Sequence, residues 1–223
     1  MSQKSINDYD RILTPRGYAI RKQVLDKEDE AYLRKSLTVK PNIPGRFNKM
    51  VESFPIYMES NTRFYVPRQW GKDNYGDPDI SIVSEGLDMP SNITFKGSPF
   101  DYQENIIKAF MDADCQGLLC VPCGKGKTFM ALAIAVRLKK RFLVVVDKEF
   151  LMNQWKGEME NFIGGLRVGI LQGDKANIDP SKYDCTICML QSLAGRDFSD
   201  GFFKDYGFTI FDECHHLGGC AFQ

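Results

Sequence analysis

From Phe100 onward, short apolar runs alternate with stretches of helical spacing, and this constrains the fold more than any other feature of the chain. "RFLVVVD" is apolar and β-branched on both of its faces, and "RVGIL", "CTICML" and "FTIFDE" are further strand-like runs of the same texture. A strand without a polar face must be covered on both sides, which is the condition of a parallel sheet between two layers of helices. Helical spacing fills the intervals. "YQENIIKAFMD" carries Ile106, Ile107 and Phe110 on one stripe, "TFMALAIAVRLKK" is an apolar helix, and "FLMNQWKGEMENF" aligns Leu151, Trp155, Met159 and Phe162. "GLLCV", just before the first apolar helix, reads as one more strand, and "DGFFKDY" as a helical link. Residues 91–223 are therefore predicted to be a three-layer α/β domain with a parallel sheet covered by helices.

Residues 1–90 have a different texture, polar and rich in turns. "GYAIRKQVL" reads as a strand, "DKEDEAYLRKSL" as a short exposed helix, and "FPIYMES-NT-RFYVPRQW" as two strands around an Asn61-Thr62 turn. This is a small α+β domain, with "YGDPDISIVSEGLDMPSN" as its linker. The hairpin residues Arg63, Arg68 and Trp70 have two readings: a basic and aromatic surface that presses on nucleic acid, or a packed small domain with a solvated face. A chain of 223 residues accommodates this pair of domains.

Hydrophobic residues at 43% and charged residues at 26% are ordinary for a soluble globular protein. The formal net charge is zero, so no global field recruits nucleic acid or an acidic membrane, and a nucleic-acid partner must be held by local patches. The polar start "MSQKSINDYD" has no signal-peptide core, and the apolar run Phe129 to Val136 is far too short to span a bilayer. An intracellular, soluble location is expected: cytoplasm, nucleus or viral factory. Seven cysteines include the pairs Cys120/Cys123 and Cys185/Cys188 at CxxC spacing. A zinc site is one reading. Reduced thiols flanking a loop and filling a strand are the other, and the absence of knuckle-type turns favours it.

The candidate chemistry begins in "VPCGKGKTFMALAIAV". Strand, glycine loop and helix in that order give a phosphate-loop match its mechanism. Gly124 and Gly126 open backbone angles closed to other residues. The loop Pro122, Cys123, Gly124, Lys125 and Gly126 can then turn its N–H groups toward an anion at the mouth of a helix. Lys127 is placed to reach the β- and γ-phosphates of ATP, and Thr128 to offer its hydroxyl to Mg²⁺. The strict pattern opens with glycine where this chain has Val121. The bland alternative is a glycine-rich turn with lysines for solubility.

"FTIFDECHHLGG" supplies a complementary half. Side chains at the carboxyl ends of parallel strands face the ligand crevice. Asp212 is read as a member of the Mg²⁺ shell through water, and Glu213 as the base that accepts a proton from the attacking water. His215 is assigned a relay role toward the γ-phosphate or nucleic acid. Its alternatives are a surface loop histidine or a zinc ligand with Cys214 and His216, which crowding in sequence disfavours.

With both halves present, "PCGKGKT" and "DECH" resemble motifs I and II of superfamily 2 helicases of the DExH type. "FKGSPFDYQENIIKAF" resembles the F-x-G-x-L-R-x-Y-Q leader of the XPB/UvsW-like branch, found in large DNA viruses and phages, with Pro99 and Phe100 in place of Leu-Arg. The resemblance implies that Gln103 reads the adenine edge. "VVVDKEFLMNQW" looks like motif Ia, with Leu151, Gln154 and Trp155 in register and Asp147-Lys148 replacing Pro-Thr. "MLQSL" resembles the later motif in which Gln-Ser contacts the backbone. Lys148, Gln154, Gln191 and Ser192 are thereby the implied nucleic-acid contacts. "LTVKPNIPG…FPIYMES…FYVPRQWG" looks like the leader of the viral members.

The resemblance implies a RecA-like P-loop NTPase domain with ATP and Mg²⁺ as ligands, and an ATP-dependent DNA helicase or translocase as the parent activity, with DNA preferred over RNA. Such enzymes place ATP between two RecA-like domains, the second of which supplies arginine fingers worth roughly 10³ to 10⁵ in rate in related systems. This chain ends seven residues after His216, so slow hydrolysis and no unwinding are expected of it unless a second RecA-like domain is supplied in cis or in trans. Two other readings remain. One is a nucleic-acid-binding or regulatory module with a vestigial nucleotide site. The other is a small-molecule kinase, which fits the loop but neither "DECH" nor Tyr102-Gln103.

Overall fold

The computed structural model describes residues 5–40, 52–198 and 201–214. His215 and His216 lie outside the described residues. The chain divides into two units between Val83 and Ser84.

The first unit holds β1 (Arg11–Thr14), β2 (Gly17–Arg21), α1 (Lys27–Ser36), β3 (Thr38–Val39), β4 (Phe54–Pro55), β5 (Met58–Glu59), β6 (Arg63–Val66), α2 (Arg68–Tyr75) and β7 (Ile80–Ser81). Its main sheet runs β5-β6-β2-β1-β7, antiparallel except where β1 meets β7. Asp26 caps α1 by accepting from the N–H groups of Glu28 and Asp29, both at 2.8 Å. Leu33 is the residue that α1 buries, against Tyr18, Ile20, Leu37, Phe64 and Val66. Helix α2 approaches so closely that a Cβ on Gly71 would lie 2.4 Å from the Tyr18 ring.

The nucleic-acid reading of the hairpin does not hold for Arg63. Arg63 is only 7% exposed. Its guanidinium donates to the carbonyl oxygens of Ile6, Tyr9 and Asp10, and burial lowers its pKa. Trp70 is half-buried between Tyr32 and Tyr75, with ring centroids 6.2 and 5.9 Å away. Carbonyls of the chain start and a tyrosine pair engage the groups that sequence composition offered to a ligand.

The second unit holds β8 (Thr94–Phe95), α3 (Asp101–Asp112), α4 (Lys127–Leu138), β9 (Phe142–Val146), α5 (Glu149–Phe162), β10 (Ile163–Gly164), β11 (Val168–Gln172), β12 (Lys175–Ala176), β13 (Cys185–Met189), α6 (Leu190–Ala194) and β14 (Phe208–Phe211). The sheet order is β12-β11-β13-β9-β14. Strands β11, β13, β9 and β14 are parallel, and β12 adds an antiparallel edge. All five residues of β9 are buried, as its two-sided apolar character requires. One side packs Val144 and Val146 with Met152, Trp155 and Met159 of α5, and the other packs Leu143 and Val145 with Leu171, Cys188 and Leu190. Residues 87–89 are tied to this unit through Met89, whose N–H donates to Lys139, and an Asp88–Lys140 bridge.

The run Gly117–Val121 is a difference from expectation. It forms no strand, and Leu118 is 73% exposed. Among the described residues β14 bonds to β9 alone, so no ladder of theirs reaches this run. Leu119 and Val121 still pack on the cluster of Ile107, Met130 and Ile134. The segment keeps its apolar anchoring without the hydrogen bonds of a strand.

Candidate functional site

The parallel sheet sets one functional rim. Helix α4 ends at Leu138, just before β9 begins, so its start lies about 18 Å back at a rise of 1.5 Å per residue. That start is at the carboxyl end of the strands, where α5 and α6 also begin. β14 ends there too, and its register with β9 continues through the Asp212 N–H, which donates to the Val145 carbonyl at 3.0 Å. The glycine loop, Asp212–Glu213, Lys148 and Gln191–Ser192 therefore belong to the same rim.

The loop is held from below. Gly124 and Gly126 have φ of 76° and 79°, the left-handed region that favours glycine. The Lys125 carbonyl accepts from the Gln103 amide at 3.2 Å and from the Tyr102 hydroxyl at 3.3 Å. Gln103, 5% exposed, also accepts from the Phe100 N–H at 3.0 Å. Glu104 and Arg137 form a two-pronged pair, at 2.7 and 2.6 Å, that ties α3 to α4. Phe129 packs edge-on against Phe95 and Phe162, with centroids 5.1 and 5.0 Å away, and anchors the first turn of α4. Lys127 is exposed and Thr128 half-buried on that turn, while Pro122 and Cys123 are exposed in the loop.

At the opposite half, the Trp155 indole donates to Asp212 Oδ2 at 2.8 Å, and the Glu213 N–H donates to Asp212 Oδ1 at 3.1 Å. An ionised carboxylate has about four acceptor positions, so these two bonds leave capacity for a cation's water shell. Glu213 has φ of 50°, a left-handed conformation at the carboxylate expected to act as base. Backbone strain of this kind concentrates at functional sites.

Of the expected nucleic-acid residues, Lys148 is exposed at the N-cap of α5 and Gln154 on the helix itself. Gln191 donates to the Asp147 carbonyl at 3.1 Å, and the Ser192 hydroxyl accepts from the Gly173 N–H at 2.9 Å. Both thus brace neighbouring loops on the rim. One residue of this rim, Phe150, is not singled out by the sequence. Phe150 is 62% exposed one helical turn before Gln154. Tyr102 supports the loop. The sequence places Trp155 on the helical stripe and in register with motif Ia but does not give its bond to Asp212; a buried indole N–H needs an acceptor, and that requirement is the available signal.

The zinc reading of Cys185 and Cys188 fails on geometry. The two lie three apart in β13 and enter different core clusters, and burial pushes both thiols up, Cys188 to about 12. Cys120 and Cys123 are exposed beside the loop. Among the described residues no helix is long and apolar enough to cross a membrane.

Residues 96–222 match the family model described as type III restriction enzyme, res subunit. The chain is 34% identical over 219 residues to a protein of Acanthamoeba polyphaga mimivirus named as an ATP-dependent RNA helicase, covering 95% of this chain and 41% of that one. It is 30% identical over 120 residues to the DNA 3'-5' translocase XPB2 of Sulfurisphaera tokodaii, covering 52% of this chain and 25% of the relative. The chain therefore spans less than half the length of either. Among solved structures, the UvsW helicase from bacteriophage T4 superposes with a TM-score of 0.59 at 15% identity, covering 88% of this chain and 79% of that one. That likeness confirms the RecA-like α/β fold.

Proposed function

The chain belongs to the family described as type III restriction enzyme, res subunit, a family of helicase-type domains, and from that premise we propose that it is the ATP-binding half of a nucleic-acid helicase or translocase. The observation that carries this reading is the shared rim of the parallel sheet. The loop before α4 and the Asp212–Glu213 end of β14 stand at the same strand ends. A helix start with two left-handed glycines suits an anion, and a paired carboxylate suits a cation that accompanies it.

In this reading the N–H groups from Gly124 to Thr128 hold the phosphates, and the Lys127 ammonium sits on the β- and γ-phosphates. Thr128 and Asp212 supply oxygen donors of the kind magnesium takes, the latter through water. Magnesium, when bound, neutralises charge on the phosphates. Glu213 takes a proton from the water that attacks the γ-phosphorus, and ADP departs. Gln103 contacts the adenine edge with the donor capacity left after holding Lys125. The reading extends to a second RecA-like domain, in cis or in trans, that completes the cleft.

Lys148, Gln154, Gln191 and Ser192 are proposed to face a nucleic-acid backbone. The relatives' names include both an RNA helicase and a DNA translocase, so competition between DNA and RNA strands is part of the test. Filter binding with and without ATP–Mg²⁺ is the experiment. Nucleic-acid affinity that changes with nucleotide, and loses that response in Lys127→Ala, supports the proposal. Affinity indifferent to nucleotide in the unaltered chain would instead make it a binding module with a vestigial site.

A further inference from the structure

Trp155 is 3% exposed and belongs to the core of the second unit, packed with Met152, Met159 and Ile187. An indole has a single donor and no acceptor. That donor does not meet a backbone carbonyl inside the core. It reaches out of the core to Asp212 Oδ2 at 2.8 Å. A hydrogen bond to an ionised acceptor is roughly twice as strong as a neutral one. The other oxygen of Asp212 accepts from the Glu213 N–H, and the Asp212 N–H is held by Val145. Two bonds thus fix the carboxylate and a third fixes its backbone, and among the described residues the one from Trp155 is the side-chain donor. The indole rides on α5, whose N-cap is Lys148 and whose exposed face carries Gln154.

We propose that Trp155 is a positioning residue for the magnesium site: its indole N–H holds the Asp212 carboxylate in the orientation that presents the remaining lone pairs to the cation. This rests on the proposed role of Asp212. Trp155 touches neither nucleotide nor metal and acts through Asp212 alone. Groups that hold a metal-facing ligand typically cost 10- to 100-fold in metal affinity when removed. A water-mediated carboxylate stands at the lower end of that range.

The test titrates Mg²⁺ into the chain with a fluorescent ATP analogue and reads the Mg²⁺ concentration at half-saturation. Trp155→Phe keeps an aromatic ring in the core, smaller than the indole, and removes the donor. The expected result is a rise of about tenfold in that concentration, with nucleotide binding in EDTA unchanged. In an Asp212→Asn background, which itself weakens the Mg²⁺ response, Trp155→Phe is expected to add little. An unchanged midpoint in Trp155→Phe, with Asp212→Asn still impaired, would overturn the positioning role and leave the nucleotide site standing. An unchanged midpoint in Asp212→Asn would overturn both. An independent measurement uses the unaltered chain. It has two tryptophans. The Trp155 indole proton should resonate as a slowly exchanging signal that moves on adding ATP with Mg²⁺ and not with ATP in EDTA. A signal unmoved by magnesium would also reject the proposal.

Discussion

Gln103 sits directly under Gly126: a Cβ added to that glycine would lie 2.6 Å from the Gln103 amide nitrogen, which donates to the neighbouring Lys125 carbonyl. The same glycine has φ of 79°. Gly126→Ala is expected to cost roughly 1–2 kcal/mol for the left-handed backbone, and to displace the support of the loop as well. Gly124 has a similar angle, yet a Cβ there meets nothing within 4 Å. Gly124→Ala should therefore lose less nucleotide affinity than Gly126→Ala. Thermal unfolding and a nucleotide titration on the two variants check the order.

Glu213 combines its proposed proton-accepting role with φ of 50°. Glu213→Gly should relieve roughly 1–2 kcal/mol of backbone cost against about 0.4–1 kcal/mol of added unfolded-state freedom. The expected outcome is equal or slightly higher stability with phosphate release abolished. Glu213→Gln should abolish release without the stability gain. Denaturant melts beside phosphate-release assays, in the chain completed by a second domain, separate the two effects.

Phe150 and Gln154 share one exposed face of α5, next to Lys148. If a single strand lies there, Phe150→Ala should weaken binding by roughly 1–3 kcal/mol through lost stacking, nearly independent of salt. Lys148→Ala should instead flatten the salt dependence by about one phosphate contact. Fluorescence anisotropy with a labelled oligonucleotide at several salt concentrations reads both.

Asp79 accepts from the N–H groups of Arg11 and Asp10 at 2.9 and 3.1 Å and from the Arg11 guanidinium at 2.9 Å. The Arg11 backbone bond leads the causes that hold its pKa below the usual value. Its contribution is therefore present above the unfolded value of about 3.9 and is lost as pH falls through the lower folded value. Asp79→Asn should destabilise the first unit at pH 7, by under about 1 kcal/mol from the pair with Arg11 after solvent screening. The gap to the unaltered chain should narrow at acid pH, once pH has fallen through the lowered folded value. Urea melts at neutral and acid pH measure it.

The sheet of the second unit was legible because β9 and β14 carry β-branched or aromatic residues on both faces. The positive φ of Gly124 and Gly126 follows from the same local reading of the loop. What escaped depends on partners. "GLLCV" has the composition of a strand, but strands are made by ladders, and β14 is bonded on its β9 side. The two-residue strands β8, β10 and β12 are too short for any periodicity. Arg63 is exposed in composition and buried in space because distant carbonyls converge on it. The Trp155–Asp212 bond spans 57 positions, so only the unmet need of an indole pointed to it.

The distribution of tryptophan has a practical consequence. Trp70 stacks among tyrosines in the first unit, and Trp155 is bound to a carboxylate in the second. Each unit therefore contains its own intrinsic fluorophore in a distinct electronic setting. Emission spectra of single-tryptophan variants would report the melting of either unit separately, with no external dye.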